Sequence, residues 1–434
     1  MVTSKQIGLA LSGGGYRAAI YHLGTLKKLE ELGILANVDR LSTISGGSIT
    51  GAAFCLHVGG FANFEKKMFD ALTTKSVIRF ILTSWEFIRL ILFSIIFLGS
   101  SVYLQFTSLS VLSIPIRILF IFLLIKFQFK IFPVSKIIER AYDEFFYSGA
   151  VLSQLCDKPE LAIGSTNLQT LRQFTFSKRK MEDSKYAYMN PPILFEGSKF
   201  PISRAVIASS SVPFAFTPIV IDKEFYKNPE QYNSANPRLV DGGVYDNQGA
   251  HKLTQKNSSY RCDIVIVSDA GNKLPFDKSY SNTFTLLLRT VDAFMARIKH
   301  FQMIQNLYSV TDISLSFQSI GWDLNECIFG FYNNLKNGNV TKELCELHGL
   351  EAVWIEKPGL YKSEIIKQLK ETCNYIQIMA KDLSVEQIKC IRNVGTNLTP
   401  IKTDLAKNLI THAENITELQ IRLYCPQIIQ NNAI

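Results

Sequence analysis

The chain contains no Cys-x-x-Cys pair and no two histidines at metal-ligand spacing, so neither a zinc module nor a thioredoxin-type centre is written into it. No Gly-Lys-Ser or Gly-Lys-Thr follows its one run of three glycines, which excludes a P-loop. Internal repeats and long low-complexity linkers are missing. So is any dense Arg/Lys patch interleaved with aromatic residues of the kind that grips nucleic acid. Charged residues are scarce at 19% against 47% hydrophobic, a balance that excludes a disordered chain. The 46 Lys and Arg outnumber the 37 Asp and Glu for a net charge of +9, a modest excess that suits an anionic surface such as a lipid headgroup layer. No nucleic acid, metal or cofactor is expected.

Eight cysteines are scattered along the 434 residues and read as free thiols. The opening MVTSKQ leads straight into IGLALSGGG with neither a charged n-region nor a cleavage site, so the sequence predicts a reducing, cytosol-facing setting. Asn-x-Ser/Thr triplets at Asn257, Asn339, Asn397 and Asn415 are read as chance products of an Asn-rich chain.

What the sequence does have is alternation. Ile7–Leu11 is a short apolar run ending in three glycines, and from Arg17 to Leu32 apolar residues recur at near-helical spacing. A second strand, Leu41–Ile44, leads through SGGS into a small-residue helix reaching about His57. Further strands are predicted at 161–165, 173–177, 218–221, 238–240 and 264–268. Helices are predicted at 202–210, 283–308, 363–379 and 404–413. This pattern predicts an α/β three-layer sandwich around a mostly parallel sheet.

One stretch departs from it. Between Leu90 and Ile125 the only charge is Arg117, and two arms of about 17 residues would each reach roughly 25 Å. Lys75, Arg79 and Arg89 precede the run and Lys126, Lys130 and Lys136 follow it, so both flanks belong on the same side of a membrane. A hydrophobic helical hairpin that dips into a bilayer and returns is expected, the alternative being a pair of buried helices in a large domain. The chain then divides into residues 1–78, a hydrophobic insertion 79–136, residues 137–275, and a mainly helical region 276–434.

Three motifs carry chemistry. Arg40–Ala52 reads RLSTISGGSITGA, and a strand-to-helix turn of this kind can lift a serine hydroxyl above the sheet if small residues flank it. Ser45 follows directly from the strand and has Gly47 two positions on. Ser48 would sit a turn into the helix, where its hydroxyl could only cap or bond backbone. Ser45 is therefore the candidate nucleophile, although Thr43 stands where the elbow pattern has glycine. Gly13, Gly14 and Gly15 can turn successive amides into one concavity and so supply an oxyanion hole. In LVDGGVYDNQG, Asp241 ends a strand on the same rim, with Gly242 and Gly243 allowing a sharp departure of the chain.

Taken in order, LALSGGGYRAA, STISGGSITGA and VDGGVYDNQGA resemble the three signatures of the patatin-like phospholipase family: a GGGxR oxyanion loop, a GxSxG elbow and a DGG aspartate. LAIGSTNLQTLRQFTFS and AVIASSSVPFAFTPI add weaker matches, and the likeness covers roughly 7–58 and 161–270. The resemblance implies a Ser45–Asp241 dyad, an oxyanion hole at Gly13–Gly15 and a loop-ordering role for Arg17. It also implies hydrolysis of phospholipid or lysophospholipid esters at a membrane surface, with neutral-lipid esterase or acyltransferase activity as the alternative.

His251 follows Asp241 closely enough that a Ser45, Asp241, His251 triad stays open, although it reads better as the start of a surface helix. Gly13–Ala18 also fits a dinucleotide fingerprint, but the second strand ends in Thr43-Ile44-Ser45 where that fold needs an acidic residue. A non-catalytic membrane scaffold is the remaining reading.

Overall fold

Ile7–Leu11 is apolar and buried at every position, as a strand must be when helices cover both faces of its sheet. The computed structural model describes residues 5–271, 282–308 and 312–430. In chain order the elements that matter are β1 (Ile7–Leu11), α1 (Gly15–Glu31), β2 (Val38–Ile44), α2 (Gly46–Leu56), α3 (Trp85–Leu104), α4 (Ser113–Ile131), α5 (Val134–Tyr142), β3 (Glu160–Asn167), β4 (Arg172–Phe176) and β5 (Met181–Asp183). They continue with α6 (Ile202–Ser210), β6 (Ile219–Val220), β7 (Arg238–Asp241), α7 (Gly243–Asp246), β8 (Ile264–Asp269), α8 (Thr283–Tyr308), β9 (Ser314–Ser319) and α9 (Thr403–Tyr424).

The sheet runs β5-β4-β3-β2-β1-β8-β9. Its five inner-to-edge strands β3, β2, β1, β8 and β9 are parallel, while β4 and β5 extend it antiparallel. One edge of β3 is shared. β2 pairs with its first half, from Arg40 opposite Glu160 to Ile44 opposite Gly164. β7 takes up the same edge from the other direction, ending with Asp241 opposite Ser165. Alternate residues of β1 face opposite layers: Leu9 and Leu11 join α1 and α9 in the main core, and Ala10 joins Leu253, Val265 and Val267 on the other face. The α/β expectation with a mostly parallel centre therefore holds.

Three expectations need correcting. Residues 314–319, SLSFQS, form a six-residue parallel edge strand within the region read as mainly helical. Serines at alternate positions hid it: Ser316 and Gln318 are fully buried, and Gln318 accepts a hydrogen bond from Thr417 on α9. The expected helix 363–379 is two helices, Lys362–Thr372 and Tyr375–Met379, separated where Asn374 turns to φ 52°. The helix read as 404–413 continues to Tyr424 because its inner face packs along α1. The expected boundary between residues 275 and 276 lies outside the described residues.

The apolar stretch forms α3 and α4, of 20 and 19 residues, packed on each other as a hairpin. Arg89 at the root of α3 donates to the carbonyl of Ile131 at the end of α4, and at the tip Ser101 donates to the Ser113 carbonyl. Arg117 is satisfied inside the pair by donating to the Ser101 hydroxyl. At 1.5 Å per residue these helices reach about 30 Å, longer than the sequence suggested and long enough to cross a bilayer. They are not buried helices of a large domain: only 6% of the α3 apolar window is buried.

Helix α1, which follows the glycine turn, is held against α9 by close backbone approach. A Cβ at Gly24 would stand 2.6 Å from the Ile410 carbonyl oxygen on α9. A mid-helix glycine normally loses to alanine by about 1 kcal/mol. Here Gly24→Ala is expected to destabilise the protein by about 1–3 kcal/mol, the range for overpacking, and a urea midpoint that rises would contradict this packing.

Candidate active site

β2 and β7 run towards each other along one edge of β3 and end at the same place, which brings positions 45 and 241 together. Ser45 follows Ile44, the last β2 residue paired with Gly164, and Asp241 pairs with the next β3 residue, Ser165. Ser45 sits at φ 50°, ψ −116°, a left-handed conformation that a non-glycine residue adopts only under constraint. The constraint comes from both sides. Its amide donates to the Ser209 hydroxyl at 2.8 Å, and Ser209 in turn donates to the Gly164 carbonyl at 2.6 Å.

The small residues after Ser45 are required by close backbone approach. A Cβ at Gly47 would lie 2.4 Å from the Leu11 carbonyl, and one at Gly46 would lie 2.2 Å from the Gly15 carbonyl. Gly242 is similarly pressed against the Gly164 carbonyl at 2.4 Å. Thr43, the departure from the elbow pattern, is accommodated by Gly51, where a Cβ would stand 2.5 Å from the Thr43 methyl. Ser48 bonds side chains rather than backbone: its hydroxyl donates to Thr43 and shares a hydrogen bond with Ser209.

Asp241 is 5% exposed, and burial raises its carboxyl to about 6 from the usual 3.8. Two hydrogen bonds pull the other way, from the Gly243 amide at 2.7 Å and from the Ser45 hydroxyl. The Asp241 amide donates to the Ser211 carbonyl, and the Gly242 amide to the Ser209 carbonyl, so the end of α6 holds the aspartate strand as well as the serine.

The glycine turn closes over this pair. Gly14 (φ 143°) and Gly15 (φ 61°) adopt conformations that side chains resist. Of the three glycines expected to face an oxyanion, Gly13 has its amide committed to the Asn247 carbonyl at 2.9 Å, which corrects its expected part as a donor. Arg17 is buried and donates to the Val394 carbonyl at 2.7 Å, with a terminal nitrogen close under Gly14. Burial lowers its pKa to about 10, an effect that Asp269 partly offsets.

His251 is elsewhere. Its amide caps onto Asp246 and its ring meets the Tyr245 hydroxyl at 3.3 Å, at the start of a short helix. Among the described residues no cluster of three or more His, Cys, Asp or Glu side chains could hold a metal.

Several residues escaped the sequence reading. Asn247 packs its side-chain oxygen where a Cβ at Gly13 or at Gly243 would stand, at 2.4 and 2.6 Å, so it fills the gap between the glycine turn and the aspartate turn. Its only signal was proximity to the DGG motif. His22, neutral because burial lowers it to about 4, supports the loop floor through the Ser12 carbonyl. Tyr142 is fully buried; desolvation, and then the Asp241 charge, push its phenol upward. It packs on Phe146, which also meets Tyr16, giving the site an aromatic wall. Val394 carried no signal and Asn397 was read only as a chance Asn-x-Thr triplet, yet the Asn397 carbonyl accepts the Tyr16 amide at 3.0 Å.

Fold and site together define an α/β enzyme of the lipid acyl hydrolase class. A patatin-like phospholipase family model matches residues 9–253, more than half of the chain, and the chain belongs to that family. Similar solved structures include VipD from Legionella pneumophila, 13% identical with a TM-score of 0.32, covering 89% of this chain and 82% of VipD. They also include human GIVD cytosolic phospholipase A2, 13% identical with a TM-score of 0.46, covering 98% of this chain and 62% of the human one. This chain thus matches about three fifths of the human protein's length. Curated protein sequences yield no match.

A carboxyl whose folded pKa lies above its unfolded value opposes folding once ionised, so stability is fullest below pH 3.8 and is lost as pH rises through 6. Asp241→Asn is therefore expected to stabilise the protein at pH 8 by on the order of 2–3 kcal/mol. The gain should vanish below about pH 4 in denaturant titrations at each pH. A loss of stability at pH 8 would contradict the desolvated carboxylate.

Proposed function

We propose that this chain is a serine acyl hydrolase that cleaves carboxyl esters of phospholipids or lysophospholipids at a membrane surface. The observation that carries this reading is the end-to-end meeting of β2 and β7 on β3, which sets a strained serine against a desolvated carboxylate. Ser45 Oγ attacks the ester carbonyl while its proton passes to Asp241, whose raised pKa suits it to that task better than an ordinary aspartate. The oxyanion is met by the amides of Gly14 and Gly15 at the start of α1, with the helix dipole behind them. Asp241 then gives the proton to the leaving alcohol oxygen. Water, deprotonated by the same carboxylate, attacks the Ser45 ester and releases the fatty acid.

Substrate has to reach a serine that is only 7% exposed. The apolar hairpin is rooted beside the site: Ser135, in the first turn of α5, donates to the Thr217 carbonyl at 2.5 Å and shares a hydrogen bond with Ser211, whose carbonyl holds the Asp241 amide. Between Ser211 and Thr217, Phe214 is 58% exposed at φ 68°. On the other flank α8 lays Met295 against Gly243 and turns Leu286, Phe294 and Phe301 outward. An acyl chain drawn from lipid would pass between these apolar elements with little contact with water. The basic residues at both roots of the hairpin favour a cytoplasmic position for the catalytic rim.

Ser45→Ala and Asp241→Ala are each expected to lower kcat/KM on a short-chain ester by a factor on the order of 10³ or more, and His251→Ala to change it only a few-fold. Because the base must be ionised, the wild-type kcat/KM should fall about tenfold per pH unit below about pH 6. Loss of activity in folded His251→Ala would replace the dyad with a triad. Replacing Leu90–Lys130 by a short Gly/Ser linker across the closely spaced roots should release the protein from phospholipid vesicles and spare hydrolysis of a soluble ester. A variant that still sediments with vesicles would refute the membrane role of the hairpin.

A further inference from the structure

Cys55 and Cys156 lie 101 positions apart in the chain and side by side in the fold. Cys55 is in the last turn of α2, the helix that starts from Ser45, and is buried. Cys156 lies in the segment leading to β3 and is partly exposed. The Cys156 amide donates to the Cys55 carbonyl at 2.8 Å. That bond holds the two residues side by side, as a disulfide requires. The side chains converge as well. Both thiols point at the Pro159 carbonyl, Cys55 Sγ at 3.9 Å and Cys156 Sγ at 3.6 Å, and they hydrogen-bond to each other.

The two sulfurs are not equivalent. The bond from Cys55, with help from Lys178, draws the Cys156 thiol below its ordinary range against the effect of burial. The same bond and full burial push Cys55 upward. Cys156 is thus the accessible, more nucleophilic sulfur and Cys55 a partner held behind it.

We propose that Cys55 and Cys156 form an oxidation site for hydroperoxides, closing to a disulfide that joins the two ends of the segment carrying the apolar hairpin. The Cys156 thiolate attacks one peroxide oxygen, the O–O bond breaks, and the departing oxygen takes up the proton that Cys156 released, leaving Cys156 as a sulfenic acid. Cys55 sulfur then attacks Cys156 sulfur. The S–O bond breaks, and the hydroxyl leaves as water with the Cys55 proton. Two thiols have given two electrons to one peroxide, and a thiol reductant reverses the change. The ring so formed encloses α3, α4 and α5, so the segment that carries the hairpin would be closed at both ends beside the end of the nucleophile helix.

The test uses the full chain treated with hydrogen peroxide at molar equivalence, then alkylated and digested without reductant. A Cys55–Cys156 cross-linked peptide is expected as the dominant oxidised species, with two of the eight thiols lost and both regained on adding dithiothreitol. After limited proteolysis between residues 57 and 155, the oxidised protein should keep its halves together on a non-reducing gel, and the reduced protein should not. Cys55→Ser should leave a dimedone-reactive sulfenic acid on Cys156, whereas Cys156→Ser should leave Cys55 unoxidised. Exposed Cys390 changed to serine should alter nothing. Oxidation of Cys156 in the wild type with Cys55 still open to alkylation on denaturing would overturn the proposal, as would cross-links spread over other cysteine pairs.

Discussion

The site depends on how β3 divides one of its edges. A strand normally offers each edge to a single neighbour, but here β2 stops at Gly164 and β7, running the opposite way, stops at Ser165. Two chain ends meeting head-on must turn away from the sheet at the same place, and the residues at the turns are Ser45 and Asp241. Their neighbours are chosen by lack of room. Gly46, Gly47, Gly164 and Gly242 each have a backbone or side-chain atom where a Cβ would go. Ser209 and Ser211, at the end of α6, then tie both turns to the same helix. The proximity of the pair thus follows from backbone register, and side-chain conformation needs only to complete it.

The glycine turn is secured differently, from two distant parts of the chain. Asn247 takes the Gly13 amide, Asn397 the Tyr16 amide, and Val394 the Arg17 guanidinium. A bend with two left-handed glycines has little stability of its own. It is held by Asn247 from the aspartate turn and by Val394 and Asn397 from the C-terminal region. The last third of the chain therefore contributes to the geometry of a loop near the beginning, although it adds no side chain to the reacting centre.

The legible parts were those whose physics is local. Short runs at 7–11, 41–44 and 264–268 marked β1, β2 and β8, and small residues in fixed order marked the two turns and the glycine loop. What could not be read was whatever depends on a partner far along the chain. Strand β9 carries polar residues on its buried face, one of which, Gln318, is met by Thr417 on α9, and nothing in SLSFQS announces that. The commitment of the Gly13 amide depends on Asn247, and Arg17's partner, Val394, lies 377 positions away. The hairpin was evident from composition, but its full length was not, because its polar flanks at Trp85–Arg89 and Lys126–Ile131 continue the helices past the apolar run.

Thr43 and Gly51 occupy one volume between them. The methyl of the first fills the space in which any side chain on the second would stand, so the size of one residue sets the limit for the other. Among related chains these two positions should change in concert, a larger residue at one accompanying a smaller one at the other. A fixed-letter search for glycine two places ahead of the serine would pass over such chains, whereas a search on their combined bulk would retain them.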